Sequence, residues 1–275
     1  MKAMAIRKYG KTSPLVEMEF PMPTMNDEDV LIEIHAASVN PIDFKNRNGL
    51  LRILFDCPMP FILGNDCAGI VTKVGSKVTD FKLKEGQKVL IHAGAGGLGT
   101  FAIQLAKSMG LYVATTASEK GYDLVKAMGA DEIINYKTEA FEKKLHDYDA
   151  VIDALGGDDL IKSFKVVKKG GKVLSVSGVP NGRIATRFGL GILPMVVLTL
   201  ASSYITATSY YYGVDYEFLF MQADGQELRH ITDLIEQGKI KPVIDRTYSL
   251  SEGQQALDYV ESGRAKGKVV IQVRE

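Results

Sequence analysis

The chain has 275 residues, 46% of them hydrophobic and 24% charged, and its 33 basic side chains balance its 33 acidic ones. That length accommodates one large or two moderate domains with a substantial core. The charge balance argues against a nucleic-acid surface, and two cysteines, Cys57 and Cys67, are too few for a disulfide framework or a four-thiolate zinc site.

Residues 1–82 read as β-rich. The opening MKAMAIRKYG lacks the apolar core of a signal peptide, and a cytoplasmic protein with reduced thiols is expected. Residues 30–35 (VLIEIH) and 70–74 are strand candidates, with prolines at 14, 21, 23, 41, 58 and 60 marking turns. Between those strands, Pro41 keeps Asn40 extended and makes a strand-to-helix corner. By themselves, Asn40 reads as a turn former and Asp43 as first-turn helix electrostatics.

From Lys88 the pattern changes. Residues 88–107, KVLIHAGAGGLGTFAIQLAK, run as strand, glycine turn and helix, the context that gives a GxGxxG match its meaning. Gly94 is expected to permit a tight turn, and Gly96 to let the backbone approach a pyrophosphate. Gly99 would let the helix pack on its strand. Gly97 and Leu98 would open the helix, whose free amides favour negative charge. Strands follow at 111–116, 132–135, 149–154 and 170–176, separated by helices at 123–128 and 160–167. Regular βα alternation with short loops predicts an α/β fold with a doubly wound parallel sheet, binding ligands outside the strands' carboxyl ends.

Residues 188–200, FGLGILPMVVLTL, are apolar throughout but shorter than a membrane span and interrupted by Pro194. A buried helix or a subunit contact is the expectation, with no membrane partner. Residues 216–221 read as a strand, and 210–221 as an aromatic strand region suited to pairing across a two-fold axis. Helices at 228–236 and 253–261, extended pieces at 243–244 and 248–250, and a last strand at 268–273 complete the chain.

An NAD site usually carries an acid at the end of the second strand. Here that strand runs out through Thr115-Thr116-Ala117-Ser118, and Glu119 sits beyond it, between Ser118 and Lys120. A hydroxyl and a cation suit the 2′-phosphate of NADP. Ser118 as a helix cap and Lys120 as a solvated side chain are the alternative.

Several segments carry a resemblance: residues 39–43 (VNPID), 64–69 (GNDCAG), Val74-Gly75, the 93–99 loop, Gly129-Ala130-Asp131, Gly238-Lys239-Ile240 and residues 263–270 (GRAKGKVV). Together they resemble the zinc-independent quinone oxidoreductases of the medium-chain dehydrogenase/reductase superfamily, the zeta-crystallin-like proteins and NADPH-dependent enone reductases. The resemblance implies a Rossmann domain over residues 83–241 and a GroES-like lobe from 1–82 and 242–275. It implies hydride transfer from NADPH to a small quinone or activated alkene, in a homodimer.

Asn40, with Asp43 in the same corner, would stand beside the nicotinamide and help position substrate. Ser118, Lys120 and Tyr136 would hold the 2′-phosphate end, while Leu155, Gly156, Gly178 and Phe220 would line the ribose and nicotinamide stretch. Asn40-Pro41 stands where zinc-dependent relatives have a Cys-His pair, and His35 and Cys67 read better as a core histidine and a buried thiol, so no metal is expected. One departure bears on function. Lys82 runs directly into Leu83, where the family has the rest of its GroES-like domain and a bridging helix, a block of about 60 residues. An NADPH-binding protein with little turnover is therefore the alternative reading.

Overall fold

The computed structural model describes residues 1–21, 32–50, 52, 57–64, 66, 68–71, 85–187, 191–219 and 225–273. The chain divides into two compact units, Met1–Lys77 with Pro242–Glu275, and Val78–Lys241.

The first unit begins with strands β1 (Lys2–Ile6), β2 (Val16–Glu19) and β3 (Ile32–Val39). Helix α1 (Pro41–Arg47) and strands β4 (Phe61–Ile62) and β5 (Ala68–Val71) follow. Pro41 sits at the first helical turn, where its missing N–H costs nothing, and Asn40 stays extended at φ −125°.

In the second unit, β6 (Lys88–Ile91) leads through the glycine loop to α2 (Gly97–Ser108). Next come β7 (Tyr112–Ala117), a 3-10 turn (Glu119–Gly121), α3 (Tyr122–Ala127), β8 (Glu132–Asn135) and α4 (Phe141–Lys144). Strand β9 (Tyr148–Asp153), α5 (Gly157–Ser163) and β10 (Val167–Ser175) precede three helices, α6 (Gly182–Arg187), α7 (Ile192–Ala201) and α8 (Ser203–Tyr212). Strand β11 (Asp215–Phe218) and α9 (Gly225–Glu236) end the unit. The six strands form one sheet in the order β11-β10-β9-β6-β7-β8, every pair parallel. This is the doubly wound order, with its switch point between β6 and β9.

A sheet covered on both faces needs apolar residues on both sides of each strand. Successive residues of β6 meet that need: Leu90 packs with Val151, Leu160 and Phe164, while Val89 and Ile91 pack with Ile103, Val113 and Val125. The sequence-level strands fall on β6 to β9 within a residue or two, whereas β10 begins earlier, at Val167, and β11 ends at Phe218, the expected residues 220 and 221 lying outside the described residues.

The stretch after β10 departs from expectation. Helix α7 has no buried residue, so of the two expectations, a buried helix or a subunit contact, the buried helix is not what forms. Tyr210 and Tyr211 lie on α8, not on a strand. Aromatics have strand propensity, but Ile205 and Ser209, four residues apart, are buried and seat α8, and Gly213 closes it at φ 66°.

The chain then returns to the first unit through β12 (Ile244–Ser249), α10 (Gly253–Glu261) and β13 (Lys268–Gln272). The two extended pieces expected at 243–244 and 248–250 are one strand, despite its polar middle. Asp245 there accepts hydrogen bonds from the Tyr259 hydroxyl (2.8 Å) and the Lys266 amide (2.9 Å). The described strands of the unit form two sheets, β2-β1-β4 and β12-β13-β3-β5. Buried Arg47 ties α1 to α10 by donating to Glu261 at 2.7 Å.

Candidate functional site

The glycine loop begins where β6 ends. Ala93 takes the left-handed conformation (φ 53°) and donates to the Thr116 hydroxyl at 3.0 Å, and the Gly94 amide donates to the Thr116 carbonyl at 3.0 Å. The left-handed residue of the turn is therefore Ala93. Gly94 is required by packing instead, because a Cβ there would overlap Thr115 Oγ1. A Cβ on Gly99 would overlap the Ala93 carbonyl and lie 2.6 Å from Gly94 Cα, so helix and loop touch backbone to backbone. Gly96 differs: a Cβ there would meet only the Ala93 carbonyl oxygen, at 3.2 Å, and otherwise open space.

The first intrahelical bond of α2 runs from the Thr100 amide to the Gly96 carbonyl, at 2.9 Å. The amides of Gly97, Leu98 and Gly99 precede it and have no intrahelical acceptor. Amides of this kind, with the helix dipole, suit a negatively charged group, and Leu98 is exposed beside them.

Neighbouring strand ends converge on this loop. A Cβ on Gly121 would come 2.8 Å from the Ala95 methyl, so the turn after β7 packs against the glycine loop. Ser118 precedes that turn and Lys120 lies exposed within it. Ala117 of β7 pairs with Asn135 of β8, which sets Ser118 and Tyr136 at adjacent strand ends. Tyr136 is exposed. Ser118, Glu119, Tyr122, Asn135 and Glu139 line a cleft of about 310 Å³. Glu139 receives Lys144 and the Asn135 amide (2.9 Å), which hold its carboxyl below the usual range.

Across the switch point, a buried carboxylate organises two loops. Asp153 at the end of β9 accepts from the Leu155 amide (3.0 Å), the Gly156 amide (3.0 Å) and the Ser175 hydroxyl (2.5 Å). Ser175 in turn accepts from the Gly178 amide at 2.7 Å. Gly156 is left-handed, φ 73°, with Ser177 O 2.5 Å from where a Cβ would stand; at Gly178 the obstacle is the Tyr216 hydroxyl, also at 2.5 Å. Leu155 is exposed beside them.

His92, at the end of β6, is buried between the Thr116 hydroxyl (3.2 Å) and the Ser163 hydroxyl (2.9 Å). Burial pushes its imidazole below the usual range, against the opposing pull of Asp153 and Asp159. Sequence reasoning passed over Asp153 and His92 as site-forming residues. Their signal was a polar side chain ending an otherwise apolar buried strand.

In the first unit, Asn40 is held at both ends of its amide. Its Nδ2 donates to Asp66 at 2.6 Å, and its Oδ1 accepts from the Lys268 ammonium at 2.7 Å. Burial works against the Asp66 carboxylate, but hydrogen bonds from Ser38 and Asn40 and the charge of Lys268 outweigh it and hold its carboxyl low. Asp43 is buried and accepts from the Asn40 amide at 2.8 Å. It positions Asn40 and caps α1. Phe220 and Cys67 lie outside the described residues. Among the described residues no group of three or more His, Cys, Asp or Glu side chains is arranged to hold a metal ion.

A glycine loop at the switch point of a doubly wound parallel sheet, with three outward amides and converging strand ends, defines a dinucleotide-binding α/β protein. The alcohol dehydrogenase GroES-like domain model matches residues 26–121, and the zinc-binding dehydrogenase model matches residues 128–271. A mitochondrial NAD(P)H oxidoreductase from Bos taurus is 30% identical over 357 aligned positions, covering 99% of this chain and 89% of its own. A chloroplastic NADPH-dependent alkenal/one oxidoreductase from Arabidopsis thaliana is 28% identical over 340 positions, covering 98% and 79%. The solved quinone oxidoreductase from Coxiella burnetii superposes with a TM-score of 0.80 at 30% identity, over 100% of this chain and 99% of that one. The chain belongs to the medium-chain dehydrogenase/reductase superfamily, a family of oxidoreductases. Both sequence alignments run longer than the chain's 275 residues, so the relatives carry segments that have no counterpart here.

Proposed function

We propose that the chain is an NADPH-dependent oxidoreductase that reduces a quinone or the β-carbon of an activated alkene. The observation that carries this reading is the glycine loop, with its three free amides, packed against a turn that offers Ser118 and Lys120 where an NAD site has an acid. The amides of Gly97, Leu98 and Gly99 would hold the pyrophosphate, which the open face of Gly96 admits. Ser118, Lys120 and Tyr136 would take the 2′-phosphate. Leu155, Gly156, Gly178 and Phe220 would line the ribose and nicotinamide stretch. The names of the relatives, an NADPH-dependent alkenal/one oxidoreductase among them, support both cofactor and acceptor class.

When bound, the nicotinamide would supply the hydride. Conjugated acceptors spread the resulting charge onto an oxygen, so the protein's task is orientation and exclusion of water. Asn40 would orient that oxygen, its amide fixed by Asp66 and Lys268, with Asp43 holding the Asn40 backbone. Strand β11 is the edge of its sheet and would pair with a symmetry mate to make a homodimer. Sedimentation at micromolar concentration tests that assembly; a clean monomer contradicts it.

One observation favours a second reading, an NADPH-binding protein with little turnover: the relatives' alignments exceed this chain in length. The expected junction, between Lys82 and Leu83, lies outside the described residues. NADPH oxidation with a panel of quinones and enones separates the readings, since tight binding without turnover selects the second. Inserting a relative's block between Lys82 and Leu83 then tests the cause. A rise in turnover at equal NADPH affinity would assign the loss to the missing segment, and no change would reject that explanation.

A further inference from the structure

Helices α7 and α8 leave an apolar surface that the function proposed above does not use. From Ile192 to Gly213 there is no Asp, Glu, Lys, Arg or His. Met195 and Thr199 turn toward α6, where Thr199 packs on Gly182 and the Thr186 hydroxyl reaches the Met195 sulfur at 3.8 Å. Pro194 and Leu198 are half-buried, and the other large side chains of α7 point outward. Ile192 and Leu193 are 77% and 75% exposed, Leu200 is 68% exposed, and Val196 and Val197 lie between them. Tyr204, Tyr210 and Tyr211 continue that surface along α8, while Ile205 and Ser209 on its other side are buried. No single described helix is long and apolar enough to cross a membrane. Taken together the two helices reach that composition, but they bend by 60° at their junction.

We propose that α7 and α8 are a lipid-interface anchor. In it, the outward face of α7 lies in the acyl region of one leaflet and the tyrosines of α8 stand at headgroup level. Three observations select a bilayer over a second copy of the chain. First, the most exposed side chains of α7 are Ile, Leu and Val, and its one hydroxyl, on Thr199, is already spent on the Met195 carbonyl at 2.7 Å, whereas a protein–protein interface carries a polar rim. Second, tyrosines flanking an apolar segment are the side chains that favour the membrane–water boundary. Third, Lys169 packs beside Gly213 at the end of α8, its Cγ 3.5 Å from where a Gly213 Cβ would stand, and makes no ion pair among the described residues. A cation there suits anionic headgroups. The 60° bend makes the pair a wedge in one leaflet, not a span.

Flotation of the purified chain with vesicles tests this. The chain should rise with phosphatidylcholine vesicles, and more completely when phosphatidylglycerol is added. The double variant Leu193→Glu/Leu200→Glu changes two exposed side chains, so it should melt like the parent yet lose about a hundredfold in vesicle partitioning. The sequence contains no tryptophan, so Leu193→Trp gives a site-specific signal. Its emission should move to the blue and be quenched by brominated lipid, while Tyr122→Trp on α3 responds to neither. Failure to float overturns the proposal, as does binding to anionic vesicles alone, which would assign the contact to charge. Leu193→Trp emission that shifts with protein concentration in the absence of lipid would mean that a second copy covers this face, and also overturns it.

Discussion

Two glycines of the same loop should fail in different ways when each is replaced by alanine. At Gly99 the new methyl would overlap the Ala93 carbonyl and sit 2.6 Å from Gly94 Cα and 2.8 Å from Gly94 C. All three are backbone atoms in the turn that joins β6 to α2, so nothing flexible can move aside. The cost should reach the upper range for overpacking, about 3 kcal/mol. At Gly96, φ is −81°, which alanine adopts freely, and the only neighbour is the Ala93 carbonyl oxygen at 3.2 Å. Replacing a glycine N-cap by alanine costs below about 1 kcal/mol. That methyl would instead occupy the face the pyrophosphate must approach. Urea unfolding and NADPH fluorescence titration, run on both variants, separate the effects. Gly99→Ala should lose stability, and Gly96→Ala should melt almost normally yet lose most of its NADPH affinity. Normal NADPH binding by a folded Gly96→Ala protein would refute the loop as the phosphate site.

Lys120→Ala should erode the preference for NADPH over NADH by about 1–3 kcal/mol, the range for a charge-assisted contact, and equal affinities in the parent chain would sink that assignment. Because burial lowers the His92 pKa, the unfolded chain binds a proton near pH 6.5 that the folded chain resists. Stability should therefore fall as pH drops below about 6.5, and His92→Gln should flatten that limb in urea unfolding followed against pH. Asp153→Ala strips the acceptor from the Leu155 and Gly156 amides and the Ser175 hydroxyl, and should cost about 3 kcal/mol together with weakened cofactor binding. Unchanged stability would show that these loops do not depend on the buried carboxylate.

The sheet of the second unit was legible because its strands are short, apolar and β-branched and its turns are marked by glycine; β8 (Glu132–Asn135) matches its sequence reading residue for residue. The roles of individual glycines were less legible. Spacing alone makes Gly94 a turn former, but its close neighbour is Thr115 on the adjacent strand, a contact that sequence spacing does not encode. Local aromatic propensity misread residues 210–212, because the seating of α8 through Ile205 and Ser209 is tertiary. Polar hubs were the hardest to see. Asp153 serves donors on its own turn and on β10, and Lys268 reaches Asn40 from 228 positions along the chain.

The most direct measurement of the central claim follows the hydride itself. NADPH carrying deuterium at C4 of the nicotinamide, mixed with the chain and a simple enone, should yield a saturated product labelled at the β-carbon, with NADP formed in equal amount. NADPH that binds tightly but is oxidised by no quinone and transfers no deuterium to any enone would contradict the account.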